Sequence, residues 1–257
     1  PLSVRSPCSG PASGCAAEAE PEGTSAEALT VTHPVDAVST LAFDRQAGTL
    51  SFTYGVSGGC RSHAPSTQID LEKTEFGHAG TLRVFDVVEG GEDFCEAFLH
   101  IPGSASLPSL VDRASGEAGA DLTGRHVAVT LPRVALFAER APAAAPAPSA
   151  GGVPVHELAQ VSVSDSGELA YGYAMSGGCS RHTATATVEL VEGGPFTVAK
   201  VKVADVSDAP DPCEAMIGVS GSASLHQLIA AASSSSGLDL AGRLVMVEQP
   251  AVSMVAP

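Results

Sequence analysis

The chain has 257 residues, 29 acidic against 13 basic side chains, a net charge of −16 and no tryptophan. Binding to a phosphate backbone or an anionic membrane surface depends on clustered Lys and Arg, so this composition argues against nucleic acid and such membranes as partners. No run of about 18 apolar residues occurs, and we therefore expect no transmembrane segment. The length suffices for two domains of about 100 residues each.

Residues 1–30 are rich in Ala, Glu, Gly, Pro and Ser and poor in large apolar side chains, a composition typical of an extended arm. Cys8 and Cys15 flank a short Gly/Ser/Pro segment, and we predict that they close a small disulfide loop. The sequence begins at Pro1 rather than at Met. One explanation is a signal peptide or lipid anchor that has been removed, and the other is a trimmed chain.

After the arm, the chain divides into two similar halves, residues 31–140 and 154–257, which we predict to be two domains from an internal duplication. Residues 141–153, APAAAPAPSAGGV, separate them. Pro and Ala favour a stiff extended chain and the Gly pair adds a joint, so this segment is predicted to be a linker.

Both halves contain the same series of short segments in which apolar and polar side chains alternate, the pattern of half-buried strands. In the first half they are Val38–Phe43, Leu50–Val56, Thr67–Leu71, Leu82–Val84, Phe94–Ile101 and a segment ending at Val129. Their counterparts are Leu158–Val163, Leu169–Met175, Thr185–Val191, Val201–Val203, Cys213–Val219 and a segment ending at Val247.

One short helix is predicted in each half. Leu107, Leu110 and Val111 have the i, i+3, i+4 spacing of a helix face and follow a serine that can cap its N-terminus, and the second half repeats the pattern at Leu225. Six or seven short strands with turns between them indicate an antiparallel sandwich or barrel. We therefore predict an all-β chain of two tandem sandwich-like or barrel-like domains, each with one short helix.

Two motifs recur in the halves and carry the matched cysteines. Ser57-Gly58-Gly59-Cys60-x-x-His63 returns at residues 176–182, and Asp93-x-Cys95-Glu96-Ala97 returns at residues 211–215. We predict the disulfides Cys60–Cys95 and Cys179–Cys213. A disulfide that closes a loop of this length stabilises a domain by roughly 3–4 kcal/mol on the chain-entropy model. Paired cysteines in an acidic β chain also indicate an oxidising compartment.

The histidines and glycines of these motifs have a structural interpretation. Of eight histidines, only the pair in these motifs recurs at matched positions, and we expect each to contact a neighbouring carboxylate. The glycines are predicted to form a turn with positive φ beside the cysteine, and they lack the Lys-Ser/Thr of a phosphate loop. The predicted structural residues are Gly58, Gly59, His63, Asp93 and Glu96, with Gly177, Gly178, His182, Asp211 and Glu214.

Three chemical alternatives remain. The first alternative is a zinc or Cu(I) site formed by reduced cysteines and the histidines. Its ligands would be Cys60, His63 and Cys95 in the first half and Cys179, His182 and Cys213 in the second. A Cys–His nucleophile is disfavoured, because such pairs normally come from separate elements and two copies in one chain would be unusual. Acidic loops suggest calcium, but neither follows the EF-hand pattern; their residues are Glu89, Glu92, Asp93, Asp205, Asp208 and Asp211. We predict no catalytic residue and no cofactor.

The Gly-Gly-Cys-x-x-His turn followed by Asp-x-Cys-Glu-Ala resembles a pattern in uncharacterised bacterial exported proteins and lipoproteins, including NigD-like β domains. The resemblance covers only the residues around the two motifs of each repeat. Such families have no established activity, so the resemblance implies an extracytoplasmic location and little else. The duplication and the Pro/Ala linker depart from the pattern.

Taken together, the sequence predicts a non-enzymatic exported or cell-surface protein with a structural or assembly role. In the most specific form of this hypothesis, the arm at residues 1–30 mediates self-association into a fibre or layer. Other surface proteins are alternative partners. Two further hypotheses are an extracytoplasmic zinc- or copper-binding protein and a secreted binding or inhibitor module.

Overall fold

The computed structural model of the protein describes residues 29–75, 77–139 and 152–257. Over these ranges the chain is all-β with two short helices, as predicted. The arm with its Cys8–Cys15 loop and nearly all of the linker lie outside the described residues, so both stay predictions.

The described residues of the first half form eight strands and one helix. Their order is β1 (Thr30–Val35), β2 (Thr40–Asp44), β3 (Thr49–Gly58), β4 (Ser62–Thr74), β5 (Gly77–Glu89), β6 (Ala97–Ser106), α1 (Leu107–Ala118), β7 (His126–Thr130) and β8 (Val134–Phe137).

The second half repeats this order and adds one two-residue strand. Its elements are β9 (Val153–Val155), β10 (Glu157–Leu158), β11 (Gln160–Val163), β12 (Glu168–Gly177), β13 (His182–Gly193), β14 (Phe196–Ser207), β15 (Ala215–Ser224), α2 (Leu225–Ser236), β16 (Leu244–Glu248) and β17 (Ala251–Val255).

One six-stranded antiparallel sheet, which we call the central sheet, runs through both halves. Its order is β15-β12-β11-β2-β3-β6, and β2 of the first half pairs directly with β11 of the second. The register places Ala42 opposite Ser162 at this junction. The repeats are therefore joined by backbone hydrogen bonds as well as by the chain between them.

Two mixed sheets complete the strand pairing. The first has the order β1-β5-β7-β17-β10, with β4 on the other side of β5, and the second has the order β13-β14-β16-β8, with β9 on β14. Antiparallel pairing dominates, while β5·β7, β14·β16 and β10·β17 are parallel. These parallel pairs differ from the purely antiparallel expectation. In β5·β7 and β14·β16 the reason is that the chain passes through β6 and α1, or β15 and α2, before it returns.

The closing strands are exchanged between the halves. β8 pairs with β16 of the second half, and β17 pairs with β7 of the first. Pro132 and Pro250 lie in the short connections that lead into these strands. Proline has no N–H and a fixed φ, so it interrupts a ladder and helps the chain leave one sheet for the next. The halves are thus interlocked, in contrast to two separately closed sandwiches.

A single hydrophobic core lies between the central sheet and the mixed sheets. On β3 the buried Leu50, Phe52 and Tyr54 alternate with outward residues, and on β5 the buried Leu82 and Val84 do the same. All of them belong to one buried cluster that extends into both halves. Burial on one face of each strand is what the period-two pattern of the sequence predicts.

Each helix covers an open side of this sandwich. The hydroxyl of Ser106 accepts a hydrogen bond from the Ser109 N–H at the start of α1, and Ser224 caps α2 from Gln227 in the same way. Leu107 and Val111 are completely buried, so α1 packs through its predicted face. In the described part of the chain, neither helix is long and apolar enough to cross a membrane.

Candidate functional site

The four matched cysteines form the two predicted disulfides. Cys60 is bonded to Cys95 and Cys179 to Cys213, with Cα–Cα distances of 5.8 and 5.7 Å. Each bond joins the turn that follows β3 or β12 to the loop that precedes β6 or β15. The disulfides are therefore confirmed, and each closes the same place in its repeat.

The two glycines of the first turn have different roles. Gly59 has φ of 115°, in the region that favours glycine, as predicted for the turn. Gly58 instead leaves room for side chains, because a Cβ atom there would lie 2.5 Å from Nε2 of His63 and 2.9 Å from Oδ2 of Asp93. The Gly-Gly pair thus bends the chain and lets a histidine and a carboxylate approach its backbone.

The carboxylate of Asp93 binds the backbone of the turn. Its Oδ2 accepts hydrogen bonds from the N–H groups of Gly59, Cys60 and Arg61 at 2.8, 3.0 and 2.8 Å, and its Oδ1 accepts one from Cys95 at 3.0 Å. Both sides of the disulfide are thereby held by one side chain.

Behind the turn, His63 lies between two carboxylates. Its Nδ1 is 2.7 Å from Oδ2 of Asp86, and its Nε2 is 3.1 Å from Oδ2 of Asp93. Asp86 also accepts a hydrogen bond of 2.9 Å from the hydroxyl of Tyr54. The side chains of His63, Asp86 and Asp93 are at most 4% exposed. We call the four residues Tyr54, His63, Asp86 and Asp93 the first clasp.

The second clasp repeats this arrangement with Tyr173, His182, Asp205 and Asp211. The tyrosine hydroxyl donates to Asp205 at 2.8 Å, and the imidazole nitrogens lie 2.7 Å from Asp205 and 2.9 Å from Asp211. Asp211 accepts from the N–H groups of Gly178, Cys179, Ser180 and Cys213. The chain of hydrogen bonds from β3 or β12 through the mixed sheet to the disulfide loop is the same in both repeats.

The geometry favours a charged imidazole in each clasp. Both ring nitrogens face carboxylate oxygens, and both can donate only when the ring is protonated. Burial opposes the charge of His63, but the hydrogen bonds to Asp86 and Asp93 outweigh it and raise its pKa. The hydrogen bond to Asp211, followed by that to Asp205, raises the pKa of His182. Each imidazole is therefore held between two aspartate side chains in an arrangement that favours its protonated form.

The pKa values of the outer aspartates and of the tyrosines are shifted in directions that stabilise the same charge state. The hydrogen bond from the Cys95 N–H, aided by His63, holds the pKa of Asp93 well below its usual range, and the contact with His182 does so for Asp211. Burial, with the hydrogen bond to Asp86 or Asp205, raises the pKa of Tyr54 and Tyr173. The tyrosines remain neutral donors and the outer aspartates remain charged acceptors.

The sequence predicts part of this site. His63 and Asp93 meet as expected, as do His182 and Asp211. The alternative carboxylates, Glu96 and Glu214, are instead exposed and make no contact with the histidines, because they follow the cysteine at the outer end of the loop. The carboxylate on the other side of each ring, Asp86 or Asp205, was missed.

A signal for the missing aspartates is present in the strands. Asp86 continues the inward series Leu82, Val84 of β5 and is only 3% exposed. An acidic residue on the apolar face of a period-two strand must be paired when buried. The same reasoning applies to Asp205 after Val203 on β14. The short alternating triplet at Leu82–Val84 predicts neither that β5 continues to Asp86 nor that a tyrosine hydroxyl binds this carboxylate.

The acidic loops that suggest calcium are occupied by other contacts in the structure. Asp93, Asp205 and Asp211 belong to the clasps, and Asp208 accepts a hydrogen bond of 3.0 Å from the Arg181 N–H. Glu92 lies 3.2 Å from Nε2 of His33. These contacts engage five of the six acidic residues, and the sixth, Glu89, is exposed at the end of β5.

The thiolate alternative requires a different oxidation state. Sulfur atoms of Cys60 and Cys95 and a carboxylate oxygen of Asp93 lie within 4.8 Å of one another, as do the equivalent atoms of Cys179, Cys213 and Asp211. Bonded to each other, however, the sulfurs are not the thiolates that zinc and Cu(I) prefer. A metal site at these cysteines therefore remains a hypothesis about reduced protein.

The surroundings of the clasps differ. Beside the first, a cavity of about 280 Å³ is lined by clasp residues and by the His33–Glu92 pair. Strand pairing places His33 opposite Asp86 on β5, whereas Val153 is opposite Asp205 on β14. The exposed pair is thus specific to the first half of the chain.

A scan against protein-family models, a search of curated proteins and a search of solved structures each found no match for this chain. The resemblance to exported NigD-like domains accordingly stays at the level of the two motifs. What the fold and the site define is a disulfide-bonded all-β protein with two buried histidine–carboxylate clasps.

Proposed function

We propose that the protein is a non-enzymatic, extracytoplasmic structural subunit that associates with copies of itself or with other surface proteins. The observation that carries this proposal is the saturation of the clasps. Both nitrogens of His63 and all four oxygens of Asp86 and Asp93 have a hydrogen-bond partner inside the protein, and this supports a structural role in which the clasp holds the turn.

The covalent bonds support the extracytoplasmic part of the proposal. Structural disulfides persist in oxidising compartments and are rare in the cytosol. The two disulfides occupy equivalent places in the repeats. They add a covalent constraint where the clasp already fixes the turn, as suits a protein that must keep its shape outside the cell.

The first experiment is an intact-mass measurement after alkylation of the denatured, unreduced chain purified without chelator, together with elemental analysis. The proposal predicts no free thiol among the six cysteines and no bound metal. Free thiols with stoichiometric zinc or copper would favour the metal-binding hypothesis.

The second experiment tests assembly. Light scattering of the full chain should show species larger than the monomer, and removal of residues 1–28 tests whether the arm contributes. Unchanged assembly without these residues would exclude the arm, and a strictly monomeric full chain would overturn the structural-subunit proposal.

A further inference from the structure

The outer face of the central sheet has an unusual chemical character for this chain. One row crosses all six strands and contains only serine and alanine. It consists of Ser222, Ala170, Ser162, Ala42, Ser51 and Ser104. Of the strand residues that point outward here, Asp44 and Glu168 are the two acidic ones and none is Lys or Arg. A nearly uncharged face thus lies on a protein of net charge −16.

Exposed apolar side chains stand at equivalent positions on the two outer strands of this face. Phe98 on β6 is 66% exposed opposite Ser57, and Met216 on β15 is 71% exposed opposite Ser176. Each outer strand of the face thus carries one exposed apolar side chain.

Phe98 is held against this face. Its ring lies directly over Gly55, where an added Cβ atom would be 2.3 Å from Cζ. The ring of His100 meets it edge-on, with centroids 5.0 Å apart. The phenyl ring is thus fixed on the sheet surface while two thirds of it stays open to a partner.

The sheet edges at β1 and β9 are poor sites for association. Pro34 and Pro154 occupy matched positions on these short strands, and proline blocks the addition of a further strand. The outer face of the central sheet, in contrast, is a broad surface whose Ser/Ala row is mostly exposed.

From these observations we infer that the outer face of the central sheet binds the same face of a second copy of this chain. The inference rests on the proposed function and names its interface. Charge is the first argument, because two chains of −16 repel each other and this face, with two acidic strand residues, brings few like charges together.

Symmetry and area favour the same occupant. A contact between the same face of two copies is isologous, the type of interface that closes into a two-fold dimer. Strands spaced about 4.8 Å apart, at about 3.4 Å per residue, give a face of roughly 700 Å², close to the ~800 Å² that each partner of a stable complex buries.

The test introduces charge on this face of the full chain. Ser51→Glu with Ala170→Glu places two carboxylates on exposed positions of the Ser/Ala row. The matched control, Thr130→Glu with Thr183→Glu, adds the same charge at exposed positions of the mixed sheets. Urea unfolding verifies that both variants fold, and sedimentation velocity over a wide concentration range measures association.

We expect the wild type to associate, the face variant to raise the dissociation constant at least about a hundredfold, and the control to stay within about twofold. Unchanged association of the face variant would overturn the interface but leave the structural-subunit proposal standing. A wild type that stays monomeric at every concentration would overturn both. A monomer that binds an insoluble neutral polysaccharide through this face would show that the occupant is a glycan and not a second copy.

Discussion

The two clasps are nearly identical, whereas the surfaces around them have diverged. Tyrosine, aspartate, histidine and aspartate make the same hydrogen bonds in each repeat. On the surface, His33 and Phe98 of the first half correspond to Val153 and Met216 of the second. In a buried network each polar group depends on the others, so no member can change alone, while exposed positions change at little cost.

The strongest test of this equivalence removes the inner aspartate. Asp86→Ala leaves Tyr54 and His63 without their acceptor, and Asp205→Ala does the same in the second clasp. We expect each to lower the free energy of unfolding by about 3–5 kcal/mol, measured by urea denaturation. Glu96→Ala and Glu214→Ala, which alter exposed carboxylates of the same loops, are the controls and should change it by less than about 0.5 kcal/mol. A large loss in only one repeat would show that the clasps are not equivalent.

The disulfides allow a second test. Replacing Cys60 and Cys95 with alanine should cost about 3–4 kcal/mol on the chain-entropy model. The pair Cys179 and Cys213 should cost the same, since the sequence separations are 35 and 34 residues. Thermal unfolding of both double variants measures this. Unequal losses would mean that the clasp, and not loop closure, determines what the bond contributes.

The pH dependence of stability should have two limbs. Because the folded pKa of His63 and His182 is raised, their contribution is complete below about pH 6.5 and is lost as pH rises through the folded pKa. Because the folded pKa of Asp93 and Asp211 is lowered, theirs is present above about pH 4 and is lost in acid.

Urea midpoints recorded across the pH range check this prediction. Stability should be greatest between the two limbs and decline towards both acid and alkali. His63→Gln with His182→Gln should remove the alkaline limb and retain acid sensitivity. An alkaline limb that persists unchanged in this variant would exclude the clasp histidines as its cause.

The smallest effect concerns Gly55 and Phe98. Gly55→Ala places a methyl group against the ring, and the cost of overpacking opposes the gain of about 0.5–1 kcal/mol from replacing a strand glycine. Adding Phe98→Met reproduces the second repeat, which has Ala174 and Met216 at these places. A double-mutant cycle should give a favourable coupling of at least about 0.5 kcal/mol. Additive effects would show that the ring does not depend on the glycine.

Local features of the fold follow from local sequence. Alternation predicted β2 to β7 and their counterparts in the second half, but not β1, β8, β9 and β17. The i, i+3, i+4 spacing after Ser106 and Ser224 predicted the serine-capped helices. The strand predicted at Phe94–Ile101 instead begins at Ala97, because the preceding residues follow the disulfide loop held by Asp93. Alternation alone does not reveal where such a loop ends.

For a related reason, the sequence predicted only two of the four residues of each clasp. The repeated motifs place a cysteine and a histidine beside an aspartate, and the disulfides followed from matched spacing. Asp86 and Tyr54 are far from both motifs in sequence and meet His63 only when the central sheet packs on the mixed sheet. A short motif does not indicate a partner residue that lies on a strand of another sheet.

By itself, the sequence determined the repeated motifs, the strands β2 to β7 with their counterparts, the two helices and the disulfide partners. These depend on side-chain periodicity and on spacing within one repeat. Only the tertiary structure decided that the repeats exchange β8 and β17, share a central sheet and bury a histidine between two carboxylates. An alternating strand has the same pattern whichever neighbour it pairs with. The residues of β2, β8, β11 and β17 therefore do not indicate that these strands pair with the other half of the chain.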